Sequence, residues 1–160
     1  MPARQEIRIR PFNLADTEPV MAILNDTFTT TWLPQLTAAA ARAFRDEDRS
    51  RAYVTARGQY FWIAEDEADV IGFIDWDDDF INALHVASSH SRRGAGTRLL
   101  AFAEAAIREA GHNAAQLETD TFNTRSRAFY AARGYREVDF YPDREWGSGL
   151  TTVLLVKSLG

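Results

Sequence analysis

The 160-residue chain has no cysteine. That absence excludes disulfides, thiolate metal sites and any covalent route through an acyl-cysteine. Lysine occurs once, at Lys157, so 17 of the 18 basic residues are arginines. No apolar run approaches the ~20 residues of a membrane span. The N-terminal stretch "MPARQEIRIR" has no apolar signal-peptide core, so the expected location is the cytoplasm. Positive charge is also in short supply: 23 acidic residues against 18 basic ones give a net charge of −5. Nucleic acid and anionic membranes call for a basic surface, so neither is the expected partner, and a cationic substrate suits the balance better. The three histidines are scattered and, without cysteine, give no metal signal.

What is present has ordinary globular proportions, with 46% hydrophobic and 26% charged residues. One domain over residues 1–160 accommodates them, with no repeat, linker or low-complexity tract. "EIRIRPF" alternates Ile7 and Ile9 with charges, as a half-buried first strand does. Val20, Ile23, Leu24 and Phe28 recur at helical spacing behind Asp16 or Thr17 as cap, and Pro34 breaks that pattern. A second amphipathic helix is predicted in "TAAAARAFRDEDRSRAYV", whose interleaved acids and arginines read as a self-paired solvated face. Three strands follow in "QYFWIAEDEADVIGFIDWDDDFINALHVA", with turns at "EDEAD" and "DDD". Then come a Gly-Arg loop, a helix stopping near Gly111, a strand at "AAQLETD", a helix ending at Gly134 and two last strands. The predicted order is β-α-α-β-β-β-α-β-α-β-β. The segment 80 to 121 is a βαβ crossover, so its two strands are expected to be parallel and the remaining pairs antiparallel. The fold class is α/β, a mixed and mostly antiparallel central sheet flanked by helices.

The loop "HSRRGAG" precedes a helix whose apolar face runs through Leu99, Leu100, Phe102, Ala103, Ala106, Ile107 and Ala110. The first turn of such a helix has free backbone N–H groups and the positive end of the dipole. Gly94 and Gly96 leave those donors uncovered, and Arg92 and Arg93 add charge. This is a candidate site for a phosphate or pyrophosphate. A nucleotide P-loop needs a lysine and a spacing that are missing here. The dinucleotide fingerprint needs a third glycine where Leu99 stands, although Glu118 lies at about the ribose-binding distance.

"INALHVASSHSRRGAGTRLL" followed by "LETDTFNTRSRAFYAARGY" resembles the GCN5-related N-acetyltransferase superfamily. The likeness rests on Leu84-His85-Val86 at a strand end, Ser91 to Gly96 at a helix start, then Asn123, Tyr130, Gly134 and Tyr135. Ser91 departs from the Gln or Arg of that pattern, with Arg92 displaced by one. The resemblance implies acetyl-coenzyme A as co-substrate. Its pyrophosphate would lie on the backbone of Ser91, Arg92, Arg93, Gly94, Ala95, Gly96 and Thr97. Leu84, His85 and Val86 would line its path, and Asn123 would contact the pantetheine arm. A homodimer is common among similar proteins, but no exposed stripe in this sequence demands one.

Acetyl transfer to an amine needs a deprotonated nucleophile, a polarised carbonyl and a proton for the departing thiolate. The resemblance makes Tyr130 the acid, the alternative being a core tyrosine. A phenol near pKa ~10 can protonate a thiolate whose acid is near ~8.5. By the same resemblance Glu118 is the candidate base; a strand-end ion pair or a water chain is the other reading. Trp32, Asp75, Trp76, Asn82 and Tyr141 are candidate acceptor contacts, with Trp146 and Asp77 to Asp79 nearby. The implied acceptor is a small-molecule or peptide amine, and no metal is called for. A catalytically silent coenzyme A-binding sensor or partner module is the rival reading.

Overall fold

The computed structural model describes residues 7–90 and 94–160. The alternation in "EIRIRPF" becomes β1 (Arg8–Pro11), with Ile7 buried and Ile9 packed on the core. Helix α1 (Thr17–Thr27) follows, and Asp16 at its head does not cap it. Instead the Asp16 carboxylate is held by Arg10 at 2.8 and 2.9 Å and by the Asn13 amide at 2.8 Å. The helix runs on through a π turn at Phe28–Trp32 and a tight turn at Leu33–Gln35 around Pro34.

The predicted second helix is two. Helices α2 (Ala38–Asp46) and α3 (Arg49–Arg57) meet at Asp48, whose φ of 46° is left-handed. Aspartate tolerates that conformation better than most residues, and its carboxylate competes for nearby backbone groups, so a run of acids interrupts the helix. The arginines here do pair locally, Arg49 with Glu47 at 3.1 Å and Arg51 with Asp48 at 3.7 Å, and Arg51 also reaches Glu18 of α1 at 3.3 Å.

Strands β2 (Trp62–Asp66), β3 (Asp69–Asp77) and β4 (Phe80–Val86) form a meander, turning at the acid clusters where Glu67 and Asp78 adopt positive φ. Helix α4 (Ala95–Glu109) crosses to β5 (Ala114–Asp120), α5 (Thr124–Ala132) follows, and β6 (Arg136–Pro142) and β7 (Thr151–Ser158) close the chain. The seven-stranded sheet has the order β1-β2-β3-β4-β5-β7-β6. Only β4 and β5 are parallel, as the crossover requires.

Each face of the sheet has its own core. Val20, Ile23 and Val54 from α1 and α3 pack on Phe61, Ile63 and Phe73. On the other face Leu99, Leu100, Ala103 and Ile107 of α4 meet Ile71, Ile74, Leu117 and Leu155. Burying a Leu or Ile side chain is worth roughly 1.5–3 kcal/mol, so α4 is anchored firmly along its length. Its N-terminus is thereby held in a defined place beside the end of β4. Among the described residues no helix is long and apolar enough to cross a membrane.

Candidate active site

Strands β4 and β5 pair only at Phe80 with Gln116 and at Ile81 with Leu117. The narrow end is pinned by Gln116, whose amide N and Nε2 donate to the backbone and side chain of Asp79, both at 2.9 Å. Beyond Ile81 the strands part, and a cavity of about 1510 Å³ opens between them. A bulge sits where they separate: Ile81 opposes Trp76 and Ala83 opposes Asp75, so Asn82 is the extra residue. It turns His85 onto the face with Phe73, and Leu84 and Val86 onto the face with α4. The Ala87 amide donates to Ile71 of β3 at 2.8 Å. With a strand period of two, the Leu84 and Val86 amides therefore point the other way, into the gap. These are free backbone donors where a carbonyl can be polarised.

The head of α4 opens onto the same cavity. Gly94 is its N-cap with φ +83°, makes no side-chain cap bond, and lets the chain enter the helix in a left-handed conformation. A Cβ on Gly96 would stand 3.4 Å from Phe129 Cζ and 3.7 Å from Val86 Cγ2, and all three residues line the cavity. Ala95, between the two glycines, is buried in the core. Arg133 donates to Thr97 Oγ1 at 2.7 and 3.1 Å and lies 3.8 Å above the Phe129 ring. A fixed guanidinium thus stands beside the first turn of α4. Ser91, Arg92 and Arg93, expected to hold the anion, lie outside the described residues.

Tyr130 lies on α5 between these two regions. It is 8% exposed, and its ring packs against Phe129 and Tyr135 at 5.1 and 5.5 Å. It lines the cavity, and its hydroxyl has no hydrogen-bond partner among the described residues. Burial pushes its pKa up, so the phenol keeps its proton at neutral pH. Asn123 caps α5, its Oδ1 accepting from the Ser126 amide at 3.0 Å.

The opposite half is acidic and aromatic. Trp32 Nε1 donates to Asp120 Oδ2 at 2.5 Å, and the Tyr141 hydroxyl donates to Glu118 Oε2 at 2.7 Å. Burial and the Glu118 carboxylate push the Tyr141 phenol up to about 12. Burial also raises the carboxyls of Asp120 and of Glu145, which sits on the β6–β7 loop. His85 is driven down to about 4 by burial alone and stays neutral. Phe28 stacks on Phe44 at 4.1 Å, and Phe44 meets Trp146 edge-on at 5.2 Å, forming one wall. The cavity is therefore cationic at the helix end and anionic at the other. No group of three metal-ligating side chains occurs among the described residues.

The profile of the Acetyltransferase (GNAT) family matches residues 17–135. The chain belongs to this family. Human N-acetyltransferase 8 is 28% identical to this GNAT chain over 100 residues, which span 56% of the chain and 44% of that protein. The chain thus matches less than half the length of that relative. A GCN5-related N-acetyltransferase from Rhodopseudomonas palustris, also described as a class-II aminotransferase, superposes with a TM-score of 0.77. It is 21% identical and covers 99% of both chains. The PaiA N-acetyltransferase from Thermoplasma acidophilum, solved with coenzyme A, gives 0.73 at 16% identity, covering 96% of this chain and 99% of that one. At these identities the likeness is one of fold.

Of the residues expected in the site of this GNAT chain, Leu84, His85, Val86, Gly94, Gly96, Thr97, Glu118, Asn123, Tyr130, Trp32, Asn82 and Tyr141 line the cavity. Two do not. Asp75 is 0% exposed, its oxygens bonded to Tyr53, Arg57 and Asn82, so no substrate reaches it. Trp76 is on the other face of the sheet, 6.1 Å from Phe102. The Asn82 bulge reverses the side-chain alternation of β4, which a count along the chain does not reveal. Asp120, Arg133 and Glu145 were not singled out from the sequence. Asp120 stood in plain view at the end of "LETD"; Arg133 is linked to Thr97 across 36 positions, and no local pattern announces that contact.

Proposed function

We propose that this chain transfers the acetyl group of acetyl-coenzyme A directly to the primary amine of a small molecule or peptide. The observation that carries the reading is the parting of β4 from β5 beside the start of α4, with the Tyr130 hydroxyl, which has no partner among the described residues, beside the space between. The coenzyme fits the polarity of the cavity. Its diphosphate suits the first-turn amides and Arg133, and the Gly96 position gives the chain of the carrier a path past Phe129 that a Cβ would narrow.

The Leu84 or Val86 amide would hold the thioester oxygen as charge builds on it. Tyr130 would protonate the leaving thiolate, a role its raised pKa suits by keeping the proton in place until a strong base forms beside it. Glu118, with Tyr141, faces the acceptor and offers a carboxylate to an ammonium group. A silent coenzyme-binding module needs the α4 start but has no use for a buried phenol without a partner among the described residues.

Thermal melting with acetyl-, succinyl- and free coenzyme A tests the binding half of the reading. At 100 times Kd the ligand adds about 2.7 kcal/mol of stability. No shift with any of the three rejects the assignment. Thiol release with an amine panel tests transfer, and binding without release favours the silent module.

A further inference from the structure

Glu118 and Asp120 alternate with Leu117 and Thr119 along β5, so both carboxylates project to the acceptor face, where Tyr141 and Trp32 meet them. They are not equivalent. The β4–β5 register ends at Ile81 and Leu117. The Asn82 bulge adds one residue to β4, so Leu84, whose amide points into the gap, stands level with Thr119, and His85 stands level with Asp120. Glu118 sits one pleat, roughly 7 Å, nearer the closed end. Glu118 is exposed and is taken up by the Tyr141 hydroxyl. Asp120 is part-buried. The Trp32 indole fixes its Oδ2, and Oδ1 has no hydrogen bond to any described residue.

Trp32 owes its position to the π turn Phe28–Trp32 that prolongs α1, a local irregularity often found at functional sites. The turn carries the indole across the mouth of the gap, with its ring 6.2 Å from His85 on β4 and its N–H on Asp120 of β5. Trp32 therefore ties the two parted strands at the level of His85 and Asp120, one residue beyond the Leu84 amide.

We propose that Asp120, not Glu118, takes the proton from the acceptor ammonium, with Trp32 as the positioning residue that aims its carboxylate. The inference rests on the acetyl-transfer reading above. In the step, one ammonium N–H bond breaks as the proton passes to Asp120 Oδ1. The freed nitrogen lone pair attacks the thioester carbon, and the C–S bond breaks. The thiolate takes the Tyr130 proton, the amide nitrogen returns one to Tyr130, and Asp120 releases its own to water. Burial raises the Asp120 carboxyl toward the working pH, which makes it a better base than a solvated carboxylate. Charged and titratable groups facing it are Glu118 on its own strand, Asp143 and Glu145 on the β6–β7 loop, and His85 on β4, which is neutral above about 4.

The test is the pH profile of kcat/KM with acetyl-coenzyme A and three acceptors: tyramine, benzylamine and a free alanyl peptide. Asp120→Asn keeps an oxygen for the Trp32 indole. It is expected to lower kcat/KM at neutral pH by about 10²-fold or more and to move the acid limb up to the ionisation of the free acceptor amine, so that rate recovers at high pH. Trp32→Phe removes a donor that stabilises the carboxylate, so its acid limb moves to higher pH; this also serves should Asp120→Asn fail to fold. Glu118→Gln is expected to raise KM and leave the limb in place. An unchanged limb in Asp120→Asn, or one moved in Glu118→Gln, overturns the proposal alone. Wild-type protein that binds coenzyme A yet acetylates none of the three overturns it together with the transfer reading.

Discussion

Arg57 holds the fully buried carboxylate of Asp75, Nη2 to Oδ1 at 2.8 Å and Nε to Oδ2 at 3.1 Å. Tyr53 and Asn82 complete the set, so one carboxylate joins α3, β3 and the bulge at which β4 leaves β5. Arg57→Ala leaves that charge buried with neutral donors only. The expected loss is about 3–5 kcal/mol, read from urea unfolding. Arg57→Met combined with Asp75→Leu should recover part of it, because no orphaned charge remains. A loss below about 1 kcal/mol in the single variant, the size of an ordinary surface pair, would show that the network is not a structural tie.

Tyr130→Phe should separate chemistry from folding. The hydroxyl has no partner among the described residues, so removing it orphans nothing, and the expected stability change is below about 1 kcal/mol. The proposed acid is gone, however, and kcat should fall about 10²–10⁴-fold while coenzyme A still binds. Isothermal titration and steady-state rates on the same sample give both numbers. Undiminished turnover removes Tyr130 from the mechanism.

These two residues also show what a reading of the chain reaches. Tyr130 was singled out through a resemblance whose Asn123 spacing is local, and its place beside the cavity was legible because the cap and the phenol share one helix. The order of strands and helices, and the single parallel pair, were likewise legible in apolar periodicity and crossover length. Asp75 and Trp76 were misplaced because these neighbours on β3 face opposite sides of the sheet, and the long-range bonds from Tyr53 and Arg57 that take up Asp75 leave no local pattern. The Asp48 break was hidden for a related reason, since an acid-rich stretch reads as a solvated helix face until its backbone is seen. Arg133 and Trp32 act through partners 36 and 88 positions away, contacts made by tertiary packing alone.

His85 gives the fold a defined response to acid. In the unfolded chain an imidazole titrates near 6.5, and in the fold burial holds it down to about 4. Between those values the unfolded chain binds a proton that the folded one does not, so stability falls as pH drops from 6.5 toward 4 and is complete above 6.5. The loss from this residue approaches about 3 kcal/mol. His85→Phe keeps a ring against Phe73, stacked at 5.4 Å in the native protein, and cannot titrate. Unfolding midpoints at pH 7.5 and 4.5 should differ less in the variant. An equal difference in both proteins would assign the acid response to other groups.

The two glycines at the head of α4 should fail for different reasons. Gly94 has φ +83° and, among the described residues, no atom within 4 Å of an added Cβ, so Gly94→Ala strains the backbone and should cost roughly 1–2 kcal/mol of stability. Gly96 has an unstrained backbone, but its Cβ would lie 3.4 Å from Phe129, so Gly96→Val blocks the passage while the helix persists. Melting curves are expected to register the first most strongly, and coenzyme A titrations the second. Full affinity in Gly96→Val would place the carrier elsewhere.

Arg133 makes a prediction that charge and packing answer differently. Its guanidinium is pinned by Thr97 Oγ1 at 2.7 Å, by the Phe129 carbonyl at 2.8 Å and by the Phe129 ring beneath it. A cation held in this way has paid its ordering cost before an anion arrives, so its contact with a phosphate should be fully expressed in affinity. Arg133→Gln is expected to weaken coenzyme A binding about 10-fold, equivalent to 1.4 kcal/mol, and to flatten the salt dependence, since a screened charge–charge contact has been removed. Pantetheine, which has the same arm without the phosphates, should bind the variant and the wild type alike. Equal losses with both ligands would mean that Arg133 works by shaping Phe129 and not by meeting an anion.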